Sequence, residues 1–245
     1  MPDQPLLRTE DVSVYFGSLA ANHLVNIDMY RGEVTGLIGP NGAGKTTLFN
    51  AITGVSPASD GRVYFKNIDI TKMLPHSICK LGMSRTFQVT RAFLHMTVED
   101  TIRVGAYNRN GENTVQDKVD EVIEYCGLES IRHKLCGDIS LAMQRRVEVA
   151  RSLATEPELL LLDESGAGLN PTELEFFMNL LRRINKEKRI TLCVVEHVMQ
   201  MVMNICDRIY VLETGHLIAS GTPQEISNNQ RVIDAYLGKR SVHVA

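Results

Sequence analysis

Short apolar runs of strand length recur along the chain and alternate with segments of helical periodicity. Continuous apolar runs, such as "EVTGLIG" from Glu33 to Gly39, "ELLLLD" and "RITLCVVEH", are typical of strands buried on both faces of a parallel sheet. The segment "EDVSVYF" alternates instead, with Val12, Val14 and Phe16 on one side, and this predicts a half-buried strand. Strands that alternate with helices predict an α/β fold with a mainly parallel sheet.

Helical segments are marked by their apolar spacing and by the residues at their ends. "KTTLFNAITG" predicts a helix that ends at Gly54. "NPTELEFFMNLLRRINKEK" predicts another, in which Asn170 is the N-cap, Pro171 takes the first helical position and Glu173 completes a capping box. Residues 97–154 look predominantly helical and lie between two predicted core strands, which indicates an inserted helical lobe.

Two glycine-containing dipeptides predict hairpin turns. Asp60-Gly61 precedes the strand-like "RVYF", and Thr214-Gly215 divides "RIYVLETGHLIASG". The first of these turns predicts that the early part of the chain carries antiparallel strands in addition to the parallel sheet.

The 245 residues fit one large domain with an insertion. We expect a core with an antiparallel β subdomain at 1–88 and 155–245, and a helical subdomain at 89–154. The start of the chain lacks the features of a secretory leader, and no apolar run approaches the about 20 residues that a membrane-spanning helix needs. We therefore expect no membrane span.

Charge and cysteine content exclude several classes of partner and site. The net charge is −3, from 26 basic and 29 acidic residues, without a long block of one sign. Because a basic surface is missing, nucleic acid is not expected as a partner. The five cysteines contain no C-x-x-C pair, which indicates reduced thiols and not a disulfide framework or a zinc site.

The strongest motif is "GPNGAGKTT", which follows a predicted buried strand and opens a predicted helix. Glycines at this spacing let backbone N–H groups turn around a phosphate at a helix N-terminus. In such a loop Lys45 reaches the β- and γ-phosphates, and the Thr46 hydroxyl can ligate Mg²⁺. The strand and helix around the motif favour phosphate binding over a chance glycine-rich turn. The candidate phosphate-binding residues are Gly39, Pro40, Asn41, Gly42, Ala43, Gly44, Lys45, Thr46 and Thr47.

Acidic and imidazole side chains follow two later buried strands. Asp163 and Glu164 end "ELLLLDE", at the edge where α/β sheets bind ligands. An aspartate there can hold Mg²⁺ through water, and the adjacent carboxylate can polarise an attacking water molecule. His197 follows the next strand, where a histidine can reach a γ-phosphate. Solvated loop acids and a structural histidine are the alternatives, and the phosphate loop makes them the weaker ones.

These motifs together resemble the nucleotide-binding subunit of ABC transporters, almost from end to end. The resemblance implies that Phe16 stacks on adenine, that Gln88 joins the Mg²⁺ site and senses a membrane subunit, and that His197 is the switch histidine. It also implies that "SGAGLN", which ends at Asn170, crosses to a partner subunit, and that Thr46, Gln88 and Asp163 form the metal site. Details such as "SRTFQ", "GLNPTE" and "GTPQEISNNQRVIDAYLG" look like the importers of branched-chain amino acids and related polar solutes.

The resemblance implies a cytoplasmic ATPase on the inner face of the cell membrane, bound there by integral permease subunits. Two ATPase subunits would close around two molecules of ATP with Mg²⁺, and hydrolysis would reopen them. A groove near residues 91–96 would receive the permease, although "AFLHM" there is also compatible with plain core. An ATPase of the lipopolysaccharide-exporter type and a soluble ABC protein remain alternatives. A GTPase does not fit, because "NKEK" lacks the aspartate of a guanine-binding N-K-x-D motif.

The signature segment "ISLAM" departs from the family pattern because it contains no glycine. Ser140 keeps the hydroxyl, whereas Ala142 replaces a glycine and Met143 replaces a glutamine. Each lost charge-assisted hydrogen bond to a partner's γ-phosphate is worth about 1.5–3 kcal/mol, or roughly tenfold to a hundredfold in rate. We therefore expect a heterodimer with two unequal sites; the alternative is that Ser140 and the helix dipole suffice. Ser165 replaces a common proline, which predicts a looser turn after Glu164.

Overall fold

The computed structural model describes residues 4–86, 93–109 and 112–237. Contacts divide the chain into two compact units, Met1–Leu74 with Cys193–Ala245, and Pro75–Leu192. The strands are β1 Leu7–Phe16, β2 Leu19–Met29, β3 Val34–Ile38, β4 Asp60–Phe65, β5 Ile68–Asp69, β6 Met83–Arg85, β7 Leu159–Asp163, β8 Thr191–Val195, β9 Arg208–Glu213 and β10 His216–Gly221. The helices are α1 Lys45–Ile52, α2 Pro75–Leu81, α3 Val98–Ala106, α4 Glu112–Cys126, α5 Leu141–Leu153, α6 Pro171–Lys188, α7 Met199–Ile205, α8 Pro223–Ser227 and α9 Gln230–Leu237.

The larger sheet confirms the predicted α/β fold. Its strand order is β10-β9-β3-β8-β7-β6, and the boundary between the two units falls within β8. β3 pairs with β9 in parallel, as β6 does with β7, whereas β10 is antiparallel to β9. Every residue of β3, β7 and β8 is buried, as their continuous apolar runs predicted.

A four-stranded antiparallel sheet in the first unit has the order β2-β1-β4-β5. The prediction that Asp60-Gly61 forms a hairpin turn was wrong, because both residues belong to β4. A Cβ at Gly61 would lie 2.4 Å from the carbonyl oxygen of Asp11, where the pairing of β1 with β4 is irregular. The glycine therefore permits a close approach of two backbones. The β4–β5 turn lies at Lys66 and Asn67, which both have positive φ.

The second unit contains the predicted helical stretch as α3, α4 and α5, with two short 3₁₀ turns between α4 and α5. The predicted capping box of α6 is confirmed: Asn170 Oδ1 accepts from the N–H of Glu173, and the Glu173 carboxylate accepts from the N–H of Asn170. All five cysteines are free thiols. Among the described residues, no helix has both the length and the apolar character needed to cross a membrane.

Candidate active site

The phosphate loop, residues 39–47, leaves the buried strand β3 and runs into α1 in the first unit. Gly39 and Gly44 have φ of 153° and 99°, a region that L side chains rarely adopt. Added Cβ atoms would lie 2.1 Å from the carbonyl oxygen of Leu212 at Gly39, and 2.3 Å from that of Ala21 at Gly44. The loop is therefore packed directly against β2 and β9, and these two positions admit only glycine.

Hydrogen bonds from neighbouring strands fix the shape of this loop. The N–H of Gly215, in the β9–β10 turn, donates to the carbonyl of Ala43 over 3.0 Å. The side-chain amide of Asn22 donates to the carbonyl of Gly44 over 3.2 Å. Because these carbonyls are held from outside, the loop keeps its form as the start of a helix, where N–H groups converge on an anion.

Lys45 is buried, and its ammonium group donates to two carbonyls of its own loop. Nζ lies 2.7 Å from the oxygen of Gly39 and 3.0 Å from that of Pro40. A buried ammonium group needs such partners because its desolvation is unfavourable. The carbonyl pair thus holds the positive charge at the loop, which is the location that phosphate oxygens require.

Two further candidate residues of the first unit are solvent-exposed. Phe16, at the end of β1, is 57% exposed. His197 follows β8 after Glu196 and is exposed, whereas Glu196 is completely buried. Both exposed rings are accessible to a ligand.

In the second unit, Asp163 and Glu164 stand at the carboxyl end of β7. Asp163 is 2% exposed, and its Oδ2 accepts a hydrogen bond of 2.6 Å from the guanidinium group of Arg85, whose side chain is 7% exposed. Its Oδ1 is also buried and has no hydrogen-bond partner among the described residues. Glu164 is half-buried and has φ of 50°, in the left-handed region.

The unpartnered Oδ1 of Asp163 fits an interaction with Mg²⁺ or with its bound water. A buried carboxylate oxygen without a donor is costly, and Mg²⁺ prefers oxygen ligands with several retained waters. Thr46, the first-unit candidate ligand, is exposed at the start of α1. Gln88, the third candidate, lies outside the described residues.

The signature segment keeps its helix start in the second unit. Ser140 is the exposed N-cap of α5, and its hydroxyl accepts from the N–H of Met143 over 3.4 Å. The side-chain amide of Gln144 donates to the carbonyls of Cys136 and Ile139, which fixes the segment before the helix. Ala142 is half-buried in the first turn. The N-terminus of α5 therefore still presents a hydroxyl group and the positive end of a helix dipole.

The loop that ends at Asn170 approaches this helix within the same unit. A Cβ added at Gly168 would lie 2.9 Å from a methyl group of Leu141. Asn170 is exposed, and its side chain caps α6. Ser165, in contrast, is 1% exposed, and its hydroxyl lies 3.2 Å from that of Thr86. The sequence predicted only that Ser165 would loosen this turn by replacing a proline. The structure shows in addition that its hydroxyl contacts that of Thr86.

Sequence reasoning missed three residues that contact the candidate site: Arg85 and Thr86 beside Asp163, and Tyr236 beside Gly39. Burial raises the pKa of the Tyr236 phenol, and a hydrogen bond with the backbone of Gly39 opposes that shift. The only sequence signal for the first two is their position just before the candidate Gln88. Nothing in the local pattern of α9 pointed to Tyr236.

A buried parallel strand that enters a glycine-rich loop and a helix, with acidic residues at the carboxyl end of another buried strand, defines a P-loop nucleoside triphosphatase. The chain belongs to the ABC transporter family, because the protein-family model described as "ABC transporter" matches residues 23–167 of its sequence. It is therefore an ATP-binding protein and an ATPase. A second model, described as "Branched-chain amino acid ATP-binding cassette transporter", matches residues 216–241.

Curated relatives are similar over nearly their whole length. The High-affinity branched-chain amino acid transport ATP-binding protein LivG of Escherichia coli K12 is 36% identical, with 96% of this chain and 99% of LivG covered. The corresponding protein BraF of Pseudomonas aeruginosa is 34% identical, with 96% of this chain and 99% of BraF covered.

Solved structures show the same fold. A nucleotide-free ATP-binding cassette from an ABC transporter is 33% identical and has a TM-score of 0.89, with 96% of this chain and all of that chain covered. The ADP conformation of an ATP-binding cassette of an ABC transporter is 31% identical, with a TM-score of 0.87 and the same coverage.

Proposed function

We propose that this chain is the ATP-hydrolysing subunit of an importer for branched-chain amino acids or similar polar solutes. The observation that carries the proposal is the near full-length similarity to LivG and BraF, whose names state this transport. The match of residues 216–241 to the branched-chain amino acid model supports it independently. That match also favours the importer over an ATPase of the lipopolysaccharide-exporter type.

Each of the site residues would have a distinct role in ATP hydrolysis. Phe16 stacks on adenine, while the N–H groups of residues 39–47 and the Lys45 ammonium group bind the phosphates. Glu164 accepts the proton of the attacking water, and His197 donates to the γ-phosphate. Thr46, Gln88 and Asp163 would hold Mg²⁺, which supplies charge neutralisation at the β- and γ-phosphates.

A second ATPase subunit would complete each site. Ser140, the N–H of Ala142 and Asn170 of one subunit are assigned to the nucleotide bound on the other. The exposure of Ser140 and Asn170 supports this assignment, since both are accessible to a partner. We favour a heterodimer, because the glycine-free signature weakens only the partner's site and leaves this chain's own phosphate loop intact.

Permease subunits would bind the second unit from the inner face of the membrane, near residues 91–96. Of this segment, the structure describes residues 93–96; the Arg151 guanidinium group lies 4.4 Å from the ring centroid of Phe93. On α3 of the same unit, Val104 and Tyr107 at its C-terminus are 47% and 58% exposed, as expected of a surface that a partner covers. We retain residues 89–154 as the proposed helical subdomain.

Reconstitution tests the proposed transport. The chain is co-expressed with its candidate permeases, and the purified complex is placed in liposomes with a solute-binding protein. We expect leucine-loaded binding protein to raise ATP hydrolysis severalfold and to drive leucine uptake. Binding protein without ligand, and a sugar in place of leucine, are the controls. Failure of any permease to co-purify, or stimulation by lipopolysaccharide instead, would contradict the proposal.

Restoring the signature in the heterodimer should raise turnover. Ala142→Gly removes a methyl group from the first turn of α5, and Met143→Gln returns a polar contact to the partner's γ-phosphate. One recovered charge-assisted hydrogen bond, taken at the lower limit of about 1.5 kcal/mol, predicts a rise of about tenfold in kcat. Steady-state ATPase assays of the double variant and of each single variant measure it. An unchanged rate would mean that Ser140 and the helix dipole suffice.

A further inference from the structure

A pair of buried hydroxyl groups lies directly beside Asp163 and Glu164. Thr86 is completely buried, Ser165 is 1% exposed, and their hydroxyl oxygens are 3.2 Å apart. The Thr86 hydroxyl also accepts the backbone N–H of Asp163 over 3.2 Å. The N–H of Thr86 in turn donates to the carbonyl of Leu161 over 2.9 Å, which fixes Thr86 against β7. One threonine side chain is thus bonded to residues on both sides of Glu164.

The hydrogen count of these groups permits all the contacts at once. A hydroxyl carries one hydrogen and two lone pairs. If Thr86 donates to Ser165, its oxygen still accepts the N–H of Asp163. If Ser165 donates instead, the two lone pairs of Thr86 receive both groups. In either arrangement the backbone before Glu164 and the side chain after it meet at a single oxygen.

Glu164 needs such a restraint because of its backbone conformation. Its φ of 50° lies in the left-handed region, which is unfavourable for a residue with a Cβ. Unfavourable backbone conformations persist where several surrounding contacts hold them in place, and they are concentrated at functional sites. The Glu164 carbonyl accepts a hydrogen bond of 3.3 Å from the N–H of Ala167, and the contacts of Thr86 with residues 163 and 165 add restraints on either side of it.

We propose that the Thr86–Ser165 hydroxyl pair is a positioning element that holds Glu164 in the conformation from which its carboxylate acts as the base. This inference depends on the base role that the proposed function gives to Glu164. Both residues of the pair are buried, so the pair would act through Glu164 and not by direct contact with the nucleotide. Its loss should therefore lower kcat and leave the KM for ATP unaltered, since KM depends on the phosphate loop.

Three variants in the assembled transporter test the role of the pair. Thr86→Val keeps the shape and removes the hydroxyl, Ser165→Ala removes its partner, and Thr86→Ser keeps the hydroxyl. We expect kcat to fall about tenfold in the first two, with KM unchanged, and to recover most of that loss in Thr86→Ser. Because the first two remove the same bond, the double variant should be no slower than Thr86→Val.

Controls separate positioning from a loss of folding. Thr101→Val removes another buried threonine hydroxyl of the second unit, which contacts Cys136, and should leave kcat unchanged. Urea unfolding is measured for every variant, since Thr86→Val leaves the N–H of Asp163 without its acceptor. Ser165→Ala retains that acceptor, so it stays informative even if Thr86→Val does not fold.

Three results would overturn the inference. The first is an unchanged kcat in Ser165→Ala, and the second is a rise in KM at constant kcat. The third is wild-type turnover in Glu164→Gln, assayed in parallel, which would also remove the base role that the proposed function assigns. If Glu164→Gln is inactive and the hydroxyl variants are not slowed, only the positioning role fails.

Discussion

Replacing Glu164 by glutamine is expected to lower kcat for ATP hydrolysis by about 10²- to 10⁴-fold, which is the usual contribution of a general base. Glutamine has nearly the same shape and keeps an acceptor oxygen, but it cannot take a proton from water. The left-handed backbone at this position is equally accessible to both residues, so the fold should not change. Phosphate formation in chemically quenched single-turnover assays measures the chemical step.

ATP binding by the Glu164→Gln variant should be retained, because residues 39–47 and His197, which are assigned to the phosphates of this chain's own ATP, lie in the first unit and Glu164 lies in the second. The matched control is Glu175→Gln on α6, which removes an exposed carboxylate of the same unit that pairs with Arg182. This control should hydrolyse ATP at the wild-type rate. Turnover of Glu164→Gln within a few-fold of wild type would exclude Glu164 as the base.

Motifs could be predicted from the sequence where the chemically important residues and the strand or helix that flanks them lie in one short segment. The phosphate loop follows β3 and begins α1 within a few residues, so strand, glycines and helix are all visible in one segment. Asp163 could be predicted for the same reason, because it stands directly at the end of the buried apolar run of β7. The capping box of α6 is also local, since Asn170 and Glu173 are three residues apart.

The antiparallel sheet was harder to predict because its strands are irregular. β2 carries Leu24 with a φ of 49° and an exposed side chain, and several shifts interrupt its pairing with β1. These features hide the alternation on which strand prediction depends. A separate irregularity, in the pairing of β1 with β4, explains the error at Asp60-Gly61, where glycine permits a close backbone contact and does not form a turn.

The residues that surround Asp163 could not be predicted from sequence patterns. β6 has only three residues, yet it places Arg85 on the carboxylate from 78 positions away in the chain. The contact of Thr86 with Ser165 spans 79 positions. No periodicity or local motif encodes such pairs; they arise from the parallel register of β6 with β7. The sequence identified the carboxylates, and only the structure shows what holds them.

Replacing Lys45 by methionine is expected to weaken ATP binding by about 10²- to 10⁴-fold. Two charge-assisted hydrogen bonds to phosphate oxygens, at about 1.5–3 kcal/mol each, are lost together with the positive charge. Methionine retains most of the apolar stem, so packing in the buried loop is largely preserved. Titration calorimetry with ATP, at fixed Mg²⁺ concentration, measures the dissociation constant.

A stability measurement must accompany this binding experiment, because the Lys45 ammonium group also donates to the carbonyls of Gly39 and Pro40. Lys72→Met, which removes an exposed lysine of the same unit, is the control and should bind ATP normally. If Lys45→Met unfolds at the same urea concentration as the control but binds ATP a hundredfold more weakly, the ammonium group acts on the phosphates. Unaltered affinity would show that the loop amides bind ATP alone. Loss of binding here, with binding retained in Glu164→Gln, would separate the residues that hold ATP from the residue that activates water.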